Sequence, residues 1–163
     1  MTRNTFSERL MSMSNEVWER HANPWSGWSR ITIPPLFVVA IWSRAWLGWW
    51  SLLPLALVCF WTWWNPRAFP KPKSLDNWMS KGVLGERIWI ARKTDPIPKR
   101  HRRMPHILAA ASGLGLLPLT WGLWVLEPWP VVAGLIAVMG GKLWFLDRMV
   151  WLFEDMGGFG ATR

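Results

Sequence analysis

Two long apolar blocks, residues 31–64 and 107–146, flank a polar and strongly basic segment at residues 65–105. That basic segment contains eleven Lys or Arg residues and three acids, so it contributes +8 to the chain's formal net charge of +9. A chain of 163 residues has room for at most one domain, and both blocks are long enough to cross a bilayer. The pattern predicts an all-α integral membrane protein with a basic cytoplasmic loop.

The numbers of tryptophan and cysteine residues further restrict the class of protein and the sites it can contain. The chain has seventeen tryptophans and no tyrosine, and tryptophan favours the membrane–water boundary because its ring is mostly apolar while its N–H can reach water. Cys59 is the only cysteine, which excludes an intrachain disulfide and a thiolate metal cluster. Residues 1–20 lack the apolar core of a signal peptide, so insertion is expected to depend on the later apolar segments.

We predict four transmembrane helices arranged as two hairpins, with the fourth helix extending into the cytoplasm. The first block is expected to turn near Gly48, because a single helix from Leu36 to Trp64 would reach about 43 Å, well beyond a bilayer core of roughly 30 Å. Each arm of this hairpin is somewhat short, so a shallow re-entrant hairpin stays open. The predicted spans are residues 31–47, 49–64, 107–126 and 130–156.

The distribution of charge orients these four spans. Both termini and residues 65–105 would share one side, which holds 18 of the 19 Lys and Arg residues, while Arg44 alone lies opposite. The positive-inside rule places the basic side in the cytoplasm. The predicted location is therefore the prokaryotic cytoplasmic (inner) membrane, with both the N- and C-termini cytoplasmic.

The segments outside the spans carry their own signals. Thr5 and Glu8 have capping-box spacing, which predicts a helix at residues 5–20 that lies in the membrane interface or packs against the basic loop. In the loop, Asn65-Pro66 is expected to end the second span. A short helix starting at residues 74–77 is expected to be interrupted at Gly82 and Gly85.

Small residues four apart in the third and fourth spans predict close packing between these helices, because they let two backbones approach in lipid. They are Ala109 with Gly113, Ala111 with Gly115, and Ala133 with Ala137 and Gly141.

Ionisable and amide side chains concentrate near the cytoplasmic ends of the predicted spans, where charges are costly and often functional. Asp147 and Arg148 point to different faces of one helix, so Asp147 is expected to find a partner elsewhere, such as Arg67 or Arg87. The alternative is structural: Lys142 extends its charge to water, and Asp147 and Arg148 pin the loops to the bundle. The candidate interfacial polar cluster comprises His21, Asn23, Asn65, Arg67, Glu86, Arg87, Lys142, Asp147, Arg148, Glu154 and Asp155.

The basic loop and His106 suggest other binding functions. The basic loop predicts contact with anionic lipid headgroups through Lys99, Arg100, Arg102 and Arg103, and no nucleic-acid binding is expected beside two membrane blocks. His106, at the mouth of the third span, is a candidate ligand for a haem or chlorophyll-type ring, although a histidine there is also typical of an ordinary interface. There is no phosphate loop, nucleophile elbow or zinc-protease motif, so no catalytic residue, metal site or required cofactor is predicted.

Four segments resemble a family of small prokaryotic multi-pass membrane proteins of unknown function. They are His-Ala-Asn-Pro-Trp-Ser at residues 21–26, Asn-Pro-Arg-Ala-Phe-Pro at 65–70, residues 78–87, and Gly-Lys-Leu-Trp-Phe-Leu-Asp-Arg-Met-Val-Trp-Leu at 141–152. The resemblance covers most of the chain and implies no established activity. The tryptophan and proline content is also similar to that of the tryptophan-rich sensory proteins, which bind porphyrins, but that family has five spans and a different arrangement of motifs.

Two classes of function remain. The first is a non-catalytic accessory or assembly subunit of a larger inner-membrane complex, which docks through its tryptophan-rich face and basic loop onto other membrane subunits or a second copy. The alternative is a small membrane enzyme or binding protein that takes a lipid, isoprenoid or tetrapyrrole ligand at the cytoplasmic interface. The scarcity of catalytic groups favours the first class and disfavours an enzyme.

Overall fold

The computed structural model describes residues 14–158, which form eight α-helices and no β-strand. The all-helical prediction is confirmed. Short 3₁₀ turns at Gly48–Ser51 and Lys99–His101 precede the fifth and seventh helices. The helices are α1 (Asn15–His21), α2 (Pro24–Ile31), α3 (Ile33–Trp42), α4 (Arg44–Leu47), α5 (Leu52–Ala68), α6 (Trp78–Ala91), α7 (Met104–Val125) and α8 (Pro128–Asp155).

Three helical runs in this part of the chain are long and apolar enough to cross a membrane: Pro24–Ala68, Lys99–Val125 and Pro128–Asp155. Their most apolar stretches bury few of their side chains within the protein. Exposed apolar surface on that scale is not tolerated in water, so these faces suit a bilayer. The first run contains both spans predicted in the first apolar block.

The first run is bent rather than straight, and its two ends meet. It is interrupted at Gly48, where φ is +55°, a conformation that glycine adopts without strain. Beyond this point the chain returns, and α5 packs along α3. Asn65 is fully buried; its Oδ1 accepts a hydrogen bond from the Ser26 hydroxyl at 2.9 Å, and its Nδ2 donates to Ser29 Oγ at 2.7 Å.

The prediction that Asn65-Pro66 ends the second span is wrong, because α5 continues to Ala68. A proline this close to a helix end removes few main-chain hydrogen bonds. The last turn is also stabilised from outside, since Asn65 bonds two serines of α2, and within the helix Arg67 Nη1 donates to the Trp63 carbonyl at 2.5 Å.

Arg44, the first residue of α4, connects the region of the turn at Gly48–Ser51 to the turn at residues 126–127 between α7 and α8. Its Nη2 donates to the carbonyls of Leu123 and Trp124, at 2.5 and 2.6 Å. The last carbonyls of a helix lack intrahelical partners, so Arg44 supplies donors to the end of α7. Arg44 is therefore fixed to the protein by a specific contact.

The basic segment is more ordered than its composition predicts. Asn77 caps α6, because its Oδ1 accepts a hydrogen bond from the Ser80 backbone N–H at 2.9 Å. The helix then runs from Trp78 to Ala91 without a break, so the predicted interruption at Gly82 and Gly85 is wrong.

These two glycines lie where α6 crosses α8. A Cβ at Gly85 would lie only 1.9 Å from the Met149 carbonyl oxygen, and a Cβ at Gly82 would lie 2.7 Å from Leu146 Cγ. The absence of side chains lets the two helices touch backbone to backbone. The glycines are therefore contact residues, and packing outweighs their low helix propensity.

Small residues also set the distance between α7 and α8, as predicted for Gly115 and Gly141. A Cβ at Gly115 would lie 2.8 Å from the Ala137 Cβ, and one at Gly141 would lie 2.8 Å from Ser112 Oγ. The prediction is wrong for Gly113, around which no atom lies within 4 Å of a Cβ position. Ala109 and Ala133 are likewise exposed, because they lie on the outer flanks of the two helices.

The N-terminal helix packs on the basic segment, the second of the two predicted placements. Its described part begins at Asn15, and Thr5 and the first half of the predicted helix lie outside the described residues. Trp18 and Ala22 are buried against Val83 of α6. The Ser80 hydroxyl donates to the Ala22 carbonyl at 2.5 Å, which fixes α1 to α6.

Gly85→Ala tests the crossing of α6 and α8. The added methyl group would displace a backbone carbonyl, so we expect a loss of about 1–3 kcal/mol in the free energy of unfolding, as for overpacked cores. Gly113→Ala is the matched control: it adds the same group to open space and should be neutral or stabilising by up to roughly 1 kcal/mol. Thermal unfolding in mild detergent measures both. Equal melting temperatures for the two variants would contradict the crossing.

Candidate ligand-binding cavity

A cavity of about 320 Å³ lies between α2, α3, α6 and α8, at the end of the bundle that carries the basic segment. Small-molecule sites span about 300–1,000 Å³, so this volume is at the lower end of that range. The wall is mainly apolar, and four ionisable side chains interrupt it. The lining residues are His21, Gly27, Arg30, Ile31, Pro34, Met79, Val83, Glu86, Val138, Met139, Lys142, Leu143 and Leu146.

Helical spacing explains how two of the walls form. On α6, Met79, Val83 and Glu86 are four and three residues apart, so they share one face. On α8, Lys142 and Leu146 follow Val138 at intervals of four and also share a face. Where α6 crosses α8, these two faces are turned toward each other and both line the cavity.

The third wall comes from α2, which approaches α6 closely at Gly27. A Cβ at Gly27 would lie 2.1 Å from Met79 Cγ, so the absence of a side chain lets Met79 pack against the α2 backbone. Arg30 and Ile31, one turn further along α2, then reach the cavity.

Two polar pairs line the cavity. Lys142 Nζ donates to Glu86 Oε1 at 2.9 Å, which joins α8 to α6. The guanidinium of Arg30 lies against the His21 ring, and its Nη2 also donates to the His21 carbonyl at 3.5 Å. Within residues 14–158 no carboxylate forms an ion pair with Arg30.

The cavity carries a positive charge at neutral pH. Burial, followed by the charges of Arg30 and Lys142, holds the pKa of His21 well below its ordinary value of 6.5. His21 is therefore neutral at pH 7, and Arg30 and Lys142 outnumber the single carboxylate of Glu86. The net charge of these four groups is +1.

Of the predicted polar cluster, His21, Glu86 and Lys142 meet at this cavity, whereas the two asparagines have other partners. Asn23 caps α2: its Oδ1 accepts from the Trp25 N–H at 2.9 Å, and its Nδ2 donates to the Pro70 carbonyl at 2.9 Å. Asn65 bonds to the serines of α2. Both asparagines thus join helix ends rather than line a pocket.

The carboxylates near the end of α8 likewise have partners outside the cavity, on α6 and at the 3₁₀ turn before α7. Asp147 Oδ1 accepts a hydrogen bond from the Trp78 indole N–H at 3.3 Å, and its pairing with Arg67 or Arg87 stays a prediction. Glu154 pairs with Lys81 at 3.4 Å. Asp155 Oδ2 lies 2.5 Å from His101 Nε2.

The cluster's remaining cations, Arg67, Arg87 and Arg148, do not line the cavity. The Arg148 guanidinium lies 4.5 Å from the centre of the Trp151 ring, and that of Arg67 lies 4.4 Å from the centre of the Trp63 ring. Arg87 is exposed. The aromatic contacts of Arg148 and Arg67 favour a structural role at the loop–bundle junction.

The predicted lipid-contacting cations Lys99, Arg100, Arg102 and Arg103 are all exposed, and their contact with anionic headgroups stays a prediction. Arg100 also pairs with Asp155 at 2.7 Å.

His106, the candidate ligand of a tetrapyrrole ring, is exposed and does not line the cavity. Its ring centre lies 5.2 Å from that of Trp89, and the two ring planes are inclined at 59°.

Arg30 is the cavity residue that the sequence analysis missed. The sequence does mark Arg30, because it is a cation at the border of the first apolar block. Lys142 is a cation in the corresponding position near the end of the second block. The apolar lining residues carried no such signal, since any helix in a membrane bundle has similar side chains.

Comparison with known proteins shows the family to which the chain belongs. A sequence profile described as a family of unknown function (DUF6653) matches residues 5–163. No curated protein and no solved structure matches.

The pKa of His21 predicts a pH-dependent stability. Above pH 6.5 the ring is neutral in both the folded and unfolded chains, whereas below 6.5 the unfolded chain binds the proton more readily. The free energy of unfolding should therefore fall as pH is lowered from about 6.5 to 5. His21→Gln should lose less stability over this interval than the wild type, as measured by thermal unfolding in detergent. Parallel pH profiles for the two proteins would contradict this assignment.

Proposed function

We propose that this chain, which belongs to the family of unknown function DUF6653, is a membrane protein that binds a lipid-like amphiphile in the cavity at its cytoplasmic interface. The observation that carries the proposal is the composition of the cavity wall. Candidate membrane helices supply most of its apolar side chains, and a helix of the basic segment adds Met79, Val83 and the carboxylate of Glu86. An amphiphile is the class of ligand whose two parts match such a wall.

The contacts between helix ends support four membrane crossings. Arg44 joins the turn after α4 to the end of α7, and Asn65 joins the end of α5 to α2. If α3–α4, α5, α7 and α8 are the crossings, both turns lie on one side and the basic segment lies on the other.

Exposed tryptophans support the same placement. Both turns carry several, and Trp49 and Trp129 are 87% and 78% exposed. Exposed indoles at helix ends suit the headgroup region of a bilayer. The excess of Lys and Arg on the opposite side favours a cytoplasmic location for the cavity, in a prokaryotic inner membrane.

A second candidate function is the accessory or assembly subunit. It is favoured by the outer flank of α7 and α8, where Gly113 and Gly140 leave open space and Ala109 and Ala133 are exposed. Small residues on a lipid-facing flank allow another helix to approach closely. Purification in mild detergent, followed by identification of co-purifying proteins, tests this function independently of the cavity.

Cysteine labelling tests the topology. In a Cys59→Ser background, Trp49→Cys and Glu127→Cys should react with a membrane-impermeant maleimide added outside intact cells, because both residues lie in exposed turns. Lys99→Cys should react only after the membrane is opened. Labelling of Lys99→Cys in intact cells would overturn the orientation, and an unreactive Trp49→Cys in opened cells would favour a single crossing by Pro24–Ala68.

Met139→Trp tests the binding site by filling the cavity. Binding of a fluorescent single-chain lipid analogue to the purified protein should be lost, because the indole would occupy the space of the chain. Ile136→Trp adds the same group to the same helix at a side chain that is 67% exposed, and it should bind as the wild type does. Binding that is equally strong in both variants would contradict the proposed site.

A further inference from the structure

We propose that the cavity selects a single-chain amphiphile with one negative charge, whose head lies at Arg30 and Lys142 and whose chain lies along the apolar wall. This inference rests on the proposed ligand-binding function and specifies the chemistry of the ligand. It follows from the charges that line the cavity, the geometry of their donors and the cavity's size.

The charge balance calls for one anion. Arg30 and Lys142 are cationic, Glu86 is anionic and His21 is neutral, so one positive charge is left without a counter-ion in the cavity. An unpaired charge beside apolar side chains is costly unless it gains a partner. A ligand with one negative charge would bring the four groups to neutrality, whereas a cationic ligand would add to the excess.

Arg30 determines the preferred shape of the head. In the described part of the chain its guanidinium contacts the His21 ring and main chain, and no carboxylate pairs with it. The planar fork of N–H donors matches a carboxylate bidentately and also binds phosphate oxygens. A carboxylate head is therefore the first choice, and a phosphate head of the same chain length is an outcome of the test.

The size and position of the cavity favour one chain. At about 320 Å³ it lies at the lower end of the range for small-molecule sites, which disfavours a two-chain lipid. Pro34, Val138 and Leu143 belong to the helices that are candidates to cross the membrane. A chain can therefore lie among the same side chains that face the bilayer core.

Glu86 has an unusual role in this arrangement, because it competes with the ligand. Its Oε1 accepts a hydrogen bond from Lys142 Nζ at 2.9 Å. An anionic head must share or displace that contact. Removing the carboxylate of Glu86 should therefore strengthen binding of an anion, whereas removing either cation should weaken it.

The experiment measures binding to the full-length protein in a neutral detergent by titration calorimetry. The probes are oleate, oleyl phosphate, oleyl alcohol and oleylamine, which share one chain and differ in their heads. We expect oleate to bind at least about tenfold more tightly than oleyl alcohol, since a hydrogen bond to a charged group commonly contributes that factor. Oleylamine should bind most weakly.

The variants Arg30→Gln, Lys142→Gln and Glu86→Gln separate the roles. Arg30→Gln and Lys142→Gln should each weaken oleate binding far more than oleyl alcohol binding, whereas Glu86→Gln should bind oleate severalfold more tightly. Lys81→Gln is the control, because Lys81 forms ion pairs outside the cavity and should leave all affinities unchanged. Oleyl alcohol binding verifies that each variant keeps its cavity.

The outcomes distinguish this inference from the proposed function. If all four probes bind equally and Met139→Trp abolishes binding, the cavity binds chains but does not select a charge, so the inference fails and the function stands. If no probe binds to the wild type, both fail. Tighter binding of oleyl phosphate than oleate would overturn the single-charge selection, and weaker oleate binding by Glu86→Gln would overturn the role of Glu86.

Discussion

The backbone contact between α6 and α8 at Gly85 and Met149 is the interaction on which the rest of the structure depends. Because a methyl group there would lie 1.9 Å from a carbonyl oxygen, only glycine permits this separation. The contact turns part of a basic loop into a helix of the bundle. It also places the α6 face that carries Met79, Val83 and Glu86 opposite α8, and that face supplies one wall of the cavity.

The electrostatics of the cavity follow from its place at the end of the bundle. Cations are tolerated there because their side chains reach an interface with water, as the 59% exposure of the Lys142 side chain illustrates. Arg30 borders the first apolar block, Lys142 lies in the second, and the two cations are opposed by one carboxylate. The resulting charge and the apolar wall together define an amphipathic site, which is the physical basis of the proposed function.

The sequence predicted the elements whose signal is local, and failed where the signal depends on a partner. Apolar length alone located α7 and α8. Gly82 and Gly85 were interpreted as helix breakers because their low propensity is visible in the sequence, whereas the helix that requires them is not. Asn65-Pro66 was interpreted as a stop for the same reason. In the site, the charges of His21, Glu86 and Lys142 identify them in the sequence. Arg30 has the same kind of signal at the border of an apolar block, but the sequence does not show which helices it faces.

Hydrogen–deuterium exchange of the full-length protein in lipid nanodiscs tests the central claim, that α6 is a packed element of the bundle. Amides buried in a packed helix exchange only when it opens, whereas those of a solvated loop exchange at once. We predict that backbone amides of residues 82–90 are protected, in contrast to those of the neighbouring residues 71–76. Equally rapid exchange in both segments would contradict the account, because the cavity would then lose the wall formed by α6.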